Sequence, residues 1–249
     1  MKSLERMMAI LDYFEGDTIE WTMEALYAEL GYTRSTLYRY LKVLTDAGLL
    51  TSLPDVGYTL GPRIAELDYQ MRERDPLINA SRPVMTALVD EIPGIALLCR
   101  RYRDRVLCVH QEQGTQSFQS NYERGLARPL LKGAASRVIL AFMPAMMIRK
   151  LYEARSEAFA EAGLGASLTE VRAALRTIRQ TGWDISAGHV TPGVTGIAAP
   201  IFDRRNNVLG SLSLTLGQPS LSPERALSVA DRVMFCAGIV TRAVSHKLG

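Results

Sequence analysis

The feature that most constrains this chain is an 18-residue stretch, "TRSTLYRYLKVLTDAGLL", Thr33 to Leu50, preceded by Gly31-Tyr32. At about 100° per residue, Arg34, Ser35, Tyr38, Arg39 and Lys42 fall within an arc of roughly 140°, and Leu37, Tyr40, Leu41 and Leu44 fall opposite. One face is therefore packed and the other basic and hydroxylated, with no acidic residue before Asp46. Thr33 stands where an N-cap belongs, and Gly48 where a left-handed residue ends a helix. Upstream, Thr22 is placed to cap a short helix, Met23 to Leu30, with Met23, Leu26 and Leu30 inward and Gly31 closing it. Earlier still, Leu4, Met7, Met8, Leu11 and Phe14 recur at helical spacing, stopped by Gly16-Asp17. Two short helices joined by a tight glycine-containing turn form a helix-turn-helix, whose second helix enters the major groove. "LLTSLPDVGYTLG" follows as strand, turn and strand. Residues 1–61 thus read as a winged helix-turn-helix, with Thr33, Arg34, Ser35, Thr36, Tyr38, Arg39 and Lys42 as the candidate contacts to double-stranded operator DNA. Helices with a hairpin also occur in protein-interaction modules; a polar face of one sign favours phosphate as the partner.

Charge distribution sharpens this expectation. The 249 residues carry a net +3. Residues 1–75 hold 8 Lys+Arg against 13 Asp+Glu, a net −5, so the remainder is +8. DNA reading therefore rests on one face of one helix. Such a reader gains affinity by dimerising, because two half-sites are then engaged together.

"PRIAELDYQMRERD", residues 62–75, places Ile64, Leu67 and Met71 on one narrow stripe, suited to a partner helix. We read it as a linker and dimer element, broken by Pro76. Residues 76–249 mix both element types. "SRPVMTALVDEIPG" reads as a helix and "IALLCRRYRDRVLCVHQE" as two strands around Arg103-Asp104. "GAASRVILAFM" and "LTEVRAALRTIRQTG" read as helices, the latter capped by Thr169 or Ser167. "TGIAAPIFDRRNNVLGSLSLTL" reads as a hairpin turning at Asn206-Asn207, with Ser213 and Thr215 on one face by period two. A terminal amphipathic helix starts at Ser222-Pro223. The expected class is α+β, an antiparallel sheet flanked by helices. Hydrophobic content of 47% supplies a core, no apolar run reaches membrane-spanning length, and Glu5-Arg6 interrupt any signal-peptide pattern, so a cytoplasmic protein is expected.

The N-terminal pattern, the linker, "RPLLKGAASRVILAF" and above all "GWDISAGHVTPGVTGIAAPIFDRRNNVLGSLSLT" together resemble the IclR family of bacterial transcription regulators. The resemblance covers nearly the whole chain. It implies a winged helix-turn-helix joined to a GAF-like effector domain, homodimers or homotetramers, and control by a small, usually carboxylate-bearing effector. Carried over by position, it implies an effector pocket at Gly133, Ala134 and Ala135, at Ser186, His189 and Gly196, and at Ser213 and Thr215. Backbone N–H groups at a helix start and strand hydroxyls suit an acid. The chain departs from the family pattern at Leu131, where His is common, at Ser136-Arg137, where Gly-Lys is common, and at His189, where an acid is common. A larger, more apolar or more anionic effector would follow.

No catalytic constellation is expected. His110, His189 and His246 accompany no nucleophile, and Cys99, Cys108 and Cys236 form no metal-binding spacing, so neither cofactor nor metal is called for. If Arg103-Asp104 is a two-residue turn, Cys99 and Cys108 lie opposite each other. A disulfide is then geometrically open, though two small buried residues are the plainer reading. The competing function class is an enzyme or a redox or metabolite sensor whose helix-turn-helix serves only oligomer contacts.

Overall fold

The structure is a computed structural model that describes residues 3–15, 18, 20–115, 124–218 and 220–247, with side chains as far as residue 245. The chain divides into two compact units, Met1–Glu73 and Arg74–Gly249. The fold is α+β: a helical unit with a two-stranded wing, and a unit built on an antiparallel sheet.

In the first unit, helix α1 (Ser3–Met8) passes directly into a 3-10 helix (Ala9–Phe14). That change corrects the sequence expectation of one regular helix. The tighter winding, about three residues per turn, rotates the inward face. Leu4 and Met8 are left 73% and 49% exposed, while Ile10, absent from the periodic set, is fully buried. The expected Gly16-Asp17 stop lies outside the described residues. Helix α2 (Met23–Leu30) begins with Thr22 Oγ1 accepting the Ala25 N–H at 3.1 Å and ends on Gly31 at φ 61°, a left-handed position that glycine adopts at least cost. Helix α3 (Arg34–Asp46) follows, capped by Thr33, with Leu37, Tyr40, Leu41 and Leu44 packed on Ile10, Leu26 and Leu50.

Strands β1 (Leu50–Leu53) and β2 (Gly57–Leu60) pair antiparallel as the wing. Trp21 adds one more rung, to β2, that the sequence did not announce: Trp21 and Tyr58 exchange both backbone hydrogen bonds, at 3.0 and 2.8 Å. A Cβ at Gly57 would lie 2.5 Å from the Trp21 carbonyl oxygen, so only glycine permits this rung. Helix α4 (Pro62–Arg74) has no buried residue, and Leu67, Tyr69 and Met71 stand 44%, 54% and 40% exposed. The division between units falls at its last turn, so α4 belongs with the first unit over nearly all its length.

The second unit opens with helix α5 (Pro76–Glu91), five residues earlier than periodicity suggested. Pro76 ends α4 and also begins α5, where its missing N–H costs nothing. Asp75 Oδ1 takes the Leu77 and Ile78 N–H groups at 2.8 and 3.1 Å. Strands β3 (Ile95–Tyr102) and β4 (Arg105–Gln113) form the expected hairpin, with Cys99 opposite Cys108 and Arg103 at φ 55° in the turn. Then come β5 (Ala127–Pro129), α6 (Ala134–Ala141), α7 (Ala145–Glu161), α8 (Leu168–Thr181), β6 (Asp184–Ala187), β7 (Thr195–Phe202), β8 (Val208–Leu216) and α9 (Pro223–Lys247). Ser167 caps α8 in a reciprocal capping box with Glu170. Sequence periodicity missed α7, β5 and β6. The two strands are three and four residues long, and α7 buries only Ile148 and Phe159 fully and is interrupted at Arg155.

The six strands run in the order β5-β4-β3-β8-β7-β6, every neighbouring pair antiparallel. Alternation along β8 separates its two faces. Leu212, Leu214 and Leu216 join the core formed with α5 and α9, including Met85, Leu88, Val229, Val233 and Val240. Ser211, Ser213 and Thr215 turn to the opposite face, beneath α6. That second face carries Leu97, Cys99, Cys108 and Ala198 packed against Val138, Ile139, Phe159, Val171 and Leu175 of α6, α7 and α8. Among the described residues no helix is long and apolar enough to cross a membrane, and no group of three or more His, Cys, Asp or Glu is placed to hold a metal.

Candidate nucleic-acid interface and ligand cavity

On α3, Arg34, Ser35, Tyr38, Arg39 and Lys42 are exposed, Tyr38 to 57%. Thr33 and Thr36 serve the helix itself: Thr33 Oγ1 accepts the Thr36 N–H at 3.3 Å and donates to Thr36 Oγ1 at 2.9 Å. The face also has a neighbour that its own sequence does not reveal. The Arg34 guanidinium lies 5.1 Å from the centre of the Tyr27 ring, and its Nη1 is 3.9 Å from Glu24 Oε1, both on α2. Arg34 is thereby directed by α2, whereas Arg39 leans over its own neighbour Tyr40, 5.6 Å from the ring centre. The arrangement offers hydroxyls and three cations on a convex surface, the chemistry of phosphate and base-edge contact.

The second unit holds a cavity between the sheet and the start of α6, about 360 Å³ with the open solvent at its mouth included. Of the residues carried over by resemblance, Ala134, Ala135, Ser186, His189, Gly196, Ser213 and Thr215 line it. Gly133 does not; it forms the turn before α6, at φ 85°. Leu97, Val190, Thr191 and Val194 complete the walls. Register on β3 could have found Leu97, which stands across from Ser213. Val190, Thr191 and Val194 belong to the loop that carries His189, and no periodicity marks them.

Antiparallel register assembles the polar side of this cavity. Ser186 pairs with Gly196, which pairs with Thr215, so three strands converge at one level. A Cβ added at Gly196 would sit 3.9 Å from Ser186 Oγ and 4.0 Å from Thr215 Oγ1, so both hydroxyls border the same space. The Ala134 N–H donates to Ser186 Oγ at 3.1 Å, which occupies one of the donors expected to be open at the helix start. Ser211 Oγ donates to the Ala135 carbonyl at 3.0 Å and ties α6 to β8. Ser213 is different: its hydroxyl is buried, lines the cavity and has no hydrogen-bond partner among the described residues. An unsatisfied buried hydroxyl costs about 1–3 kcal/mol, a cost that a bound oxygen would remove.

One departure from the family pattern has a structural role. Arg137 pairs with Asp184, Nε to Oδ2 at 3.0 Å and Nη2 to Oδ1 at 3.3 Å, behind the cavity. Burial raises the Asp184 carboxyl to about 6 and outweighs the lowering by Arg137. Cys99 and Cys108 are free, buried thiols that share a hydrogen bond. That bond and burial push the Cys99 thiol well up, away from the reactive thiolate. His110 bonds Glu112 at 2.8 Å, His189 is exposed at the cavity rim, and the side chain of His246 lies outside the described residues.

A helix-turn-helix with a wing, joined to an antiparallel-sheet unit with a polar cavity, is the architecture of an effector-controlled DNA-binding protein. The chain matches the profiles described as "IclR helix-turn-helix domain" over residues 3–54 and "Bacterial transcriptional regulator IclR C-terminal" over residues 70–242. It belongs to the IclR family of bacterial transcriptional regulators. The HTH-type transcriptional regulator KipR of Bacillus subtilis is 24% identical over 249 residues, covering 98% of each chain. The IclR-type regulator of Alicyclobacillus acidocaldarius superposes with a TM-score of 0.78 at 19% identity, covering 97% of this chain and 98% of that one. An IclR homolog from Microbacterium hydrocarbonoxydans, solved with 4-hydroxybenzoate, superposes at 0.72 and 18% identity, covering 98% of this chain and 100% of that one. The relatives are transcription regulators, and the family sets this chain among them.

Proposed function

We propose that this protein reads double-stranded operator DNA with the exposed face of α3, as a homodimer or homotetramer in the cytoplasm, and that a small organic acid bound beneath α6 changes its hold on that DNA. Residues 1–61 read, 62–75 link and pair, and 76–249 bind effector; the chain is a regulator and no enzyme. One observation carries the effector half of this reading. Ser213 presents a buried hydroxyl, unpartnered among the described residues, to a cavity that also receives Ser186, Thr215 and the start of α6. Hydroxyl groups suit carboxylate oxygens, and Leu97, Val190 and Val194 suit an apolar or aromatic body. The Microbacterium homolog's 4-hydroxybenzoate has this combination, which makes it the first probe.

The experiment titrates 4-hydroxybenzoate and a panel of aliphatic and aromatic acids calorimetrically. A mobility shift on the DNA upstream of the protein's own gene is run beside it, with and without each acid and at two salt concentrations. Saturable binding of one acid, with a salt-dependent shift that the acid alters, is expected. A shift insensitive to every acid, or none at all, ends the reading.

A further inference from the structure

A second cavity lies on the same face of the sheet, between the loop leading from β5 to α6 and helix α7. It spans about 660 Å³ with the open solvent at its mouth included. Its walls are apolar, from Leu130, Leu131, Leu151 and Phe159. Its ionic groups divide into two kinds. Asp104 and Arg155 neutralise each other at 2.5 Å. Lys132 and Glu161 also line the cavity, yet neither side chain has an ion pair or hydrogen bond among the described residues.

From this pairing of a free ammonium, a free carboxylate and an apolar wall we propose that the cavity is a second effector site, for an apolar α-amino acid. A simple carboxylic acid would satisfy Lys132 and set its charge against Glu161; a simple amine would do the reverse. A zwitterion answers both, with its side chain laid on the leucines and Phe159. The site is independent of the acid reading of the first cavity, but the two share a wall. Leu130, Leu131 and Lys132 border one, and after Gly133 the same backbone continues into Ala134 and Ala135, which border the other. An occupant that fixes Lys132 therefore restrains the segment against which the first effector binds, the condition for coupling between sites.

The test is calorimetric titration of the full chain with L-leucine and with L-phenylalanine, beside 4-methylpentanoate and 3-methylbutylamine. One amino acid binds saturably and about two- to fivefold tighter than either single-charge analogue, and Lys132→Gln and Glu161→Gln each weaken it about two- to fivefold. Both positions are exposed, so unchanged melting temperatures check that the variants fold. No saturable binding of either amino acid up to about 10 mM overturns the proposal, as does binding that survives both substitutions. Ser213→Ala distinguishes the cavities: a loss there matching that in Lys132→Gln puts the amino acid in the first cavity and overturns the second site.

Discussion

The two surfaces proposed to meet DNA and effector are built in opposite ways. The α3 face is convex and exposed, and it comes from one continuous run of ten residues, Thr33 to Lys42. The cavity beneath α6 is concave and draws on β3, β6, β7, β8, the loop around His189 and the first turn of α6. A single helix displays its function through a 3.6-residue period. A cavity made by six segments depends on strand order and register, which no local pattern contains. The contrast extends to energetics: charges on the first surface are solvated, whereas Ser213 and Thr215 in the second are buried.

The largest expected effect follows from the convex surface. Replacing Arg34 and Arg39 together with alanine removes two of its three cations. If each contacts DNA, the loss is about 1–3 kcal/mol per residue, so operator affinity falls roughly a hundredfold or more. Arg39→Ala should account for the larger share, because Arg34 is partly committed to Glu24 and Tyr27. Melting temperature and effector binding should stay at parental values. A double variant that shifts operator DNA like the parent would remove α3 as the reading element, and the comparison between surfaces would lose one side.

The next effect compares two arginine–carboxylate pairs. Arg34 and Glu24 are 66% and 70% exposed at 3.9 Å, a geometry that contributes little to stability. Arg137 and Asp184 are 18% and 9% exposed, and burial raises the Asp184 carboxyl from its ordinary 3.8 to about 6. The folded chain thus holds this proton more tightly than the unfolded chain does. The resulting stabilisation is complete below about pH 4 and is lost as pH rises through about 6. At about 1.36 kcal/mol per unit, the loss amounts to about 2–3 kcal/mol. Asp184→Asn cannot lose a proton, so its stability relative to the parent should improve by that amount between pH 4 and pH 7. Urea unfolding at both pH values measures it, and a parent–variant difference that does not change with pH rejects the assignment.

The same contrast governs what was legible beforehand. Thr22, Gly31, Thr33 and Gly48 carry local cap chemistry, and the helices they bound are where that chemistry puts them. The early helix went wrong at Ala9, where 3-10 winding exchanged Met8 for Ile10 in the core; no residue type there announces the change. Helix α7 was invisible because its apolar stripe is thin and broken at Arg155. In the cavity, period two placed Ser213 and Thr215 on one face, but only the family resemblance brought Ser186, His189 and Gly196 to them. Neither route found the Ala134–Ser186 bond or the Glu24–Arg34 approach, since both join residues that only tertiary structure makes neighbours.

Ser213→Ala probes the concave surface at a buried hydroxyl that has no partner among the described residues. A hydrogen bond to a charged oxygen contributes about 1.5–3 kcal/mol and a neutral one about 0.5–1.5, so affinity for the identified acid should drop very roughly tenfold. Without ligand the variant should be at least as stable as the parent, because a buried, unsatisfied donor has been removed. Unchanged affinity by calorimetry, beside an intact response in the mobility shift, would place the acid elsewhere.

The smallest effect tests whether the convex surface separates structure from function at all. Thr33 caps α3 through Thr36 and also stands at the end of the face assigned to DNA. Losing an N-cap typically costs about 1 kcal/mol, and Asn caps at least as well as Thr. Thr33→Ala should therefore lower stability by about that amount, and Thr33→Asn should preserve it. The two variants divide the possible roles. If Thr33 acts only as a cap, Thr33→Asn binds operator like the parent, and Thr33→Ala loses no more than its fraying helix start explains. If its hydroxyl also meets a phosphate, both variants weaken binding while only one is less stable. Denaturant unfolding and mobility shifts on the same preparations separate these outcomes. A Thr33→Ala protein with parental stability would show that the first turn of α3 is held by packing alone, making cap chemistry a poorer guide to this unit than the comparison assumes.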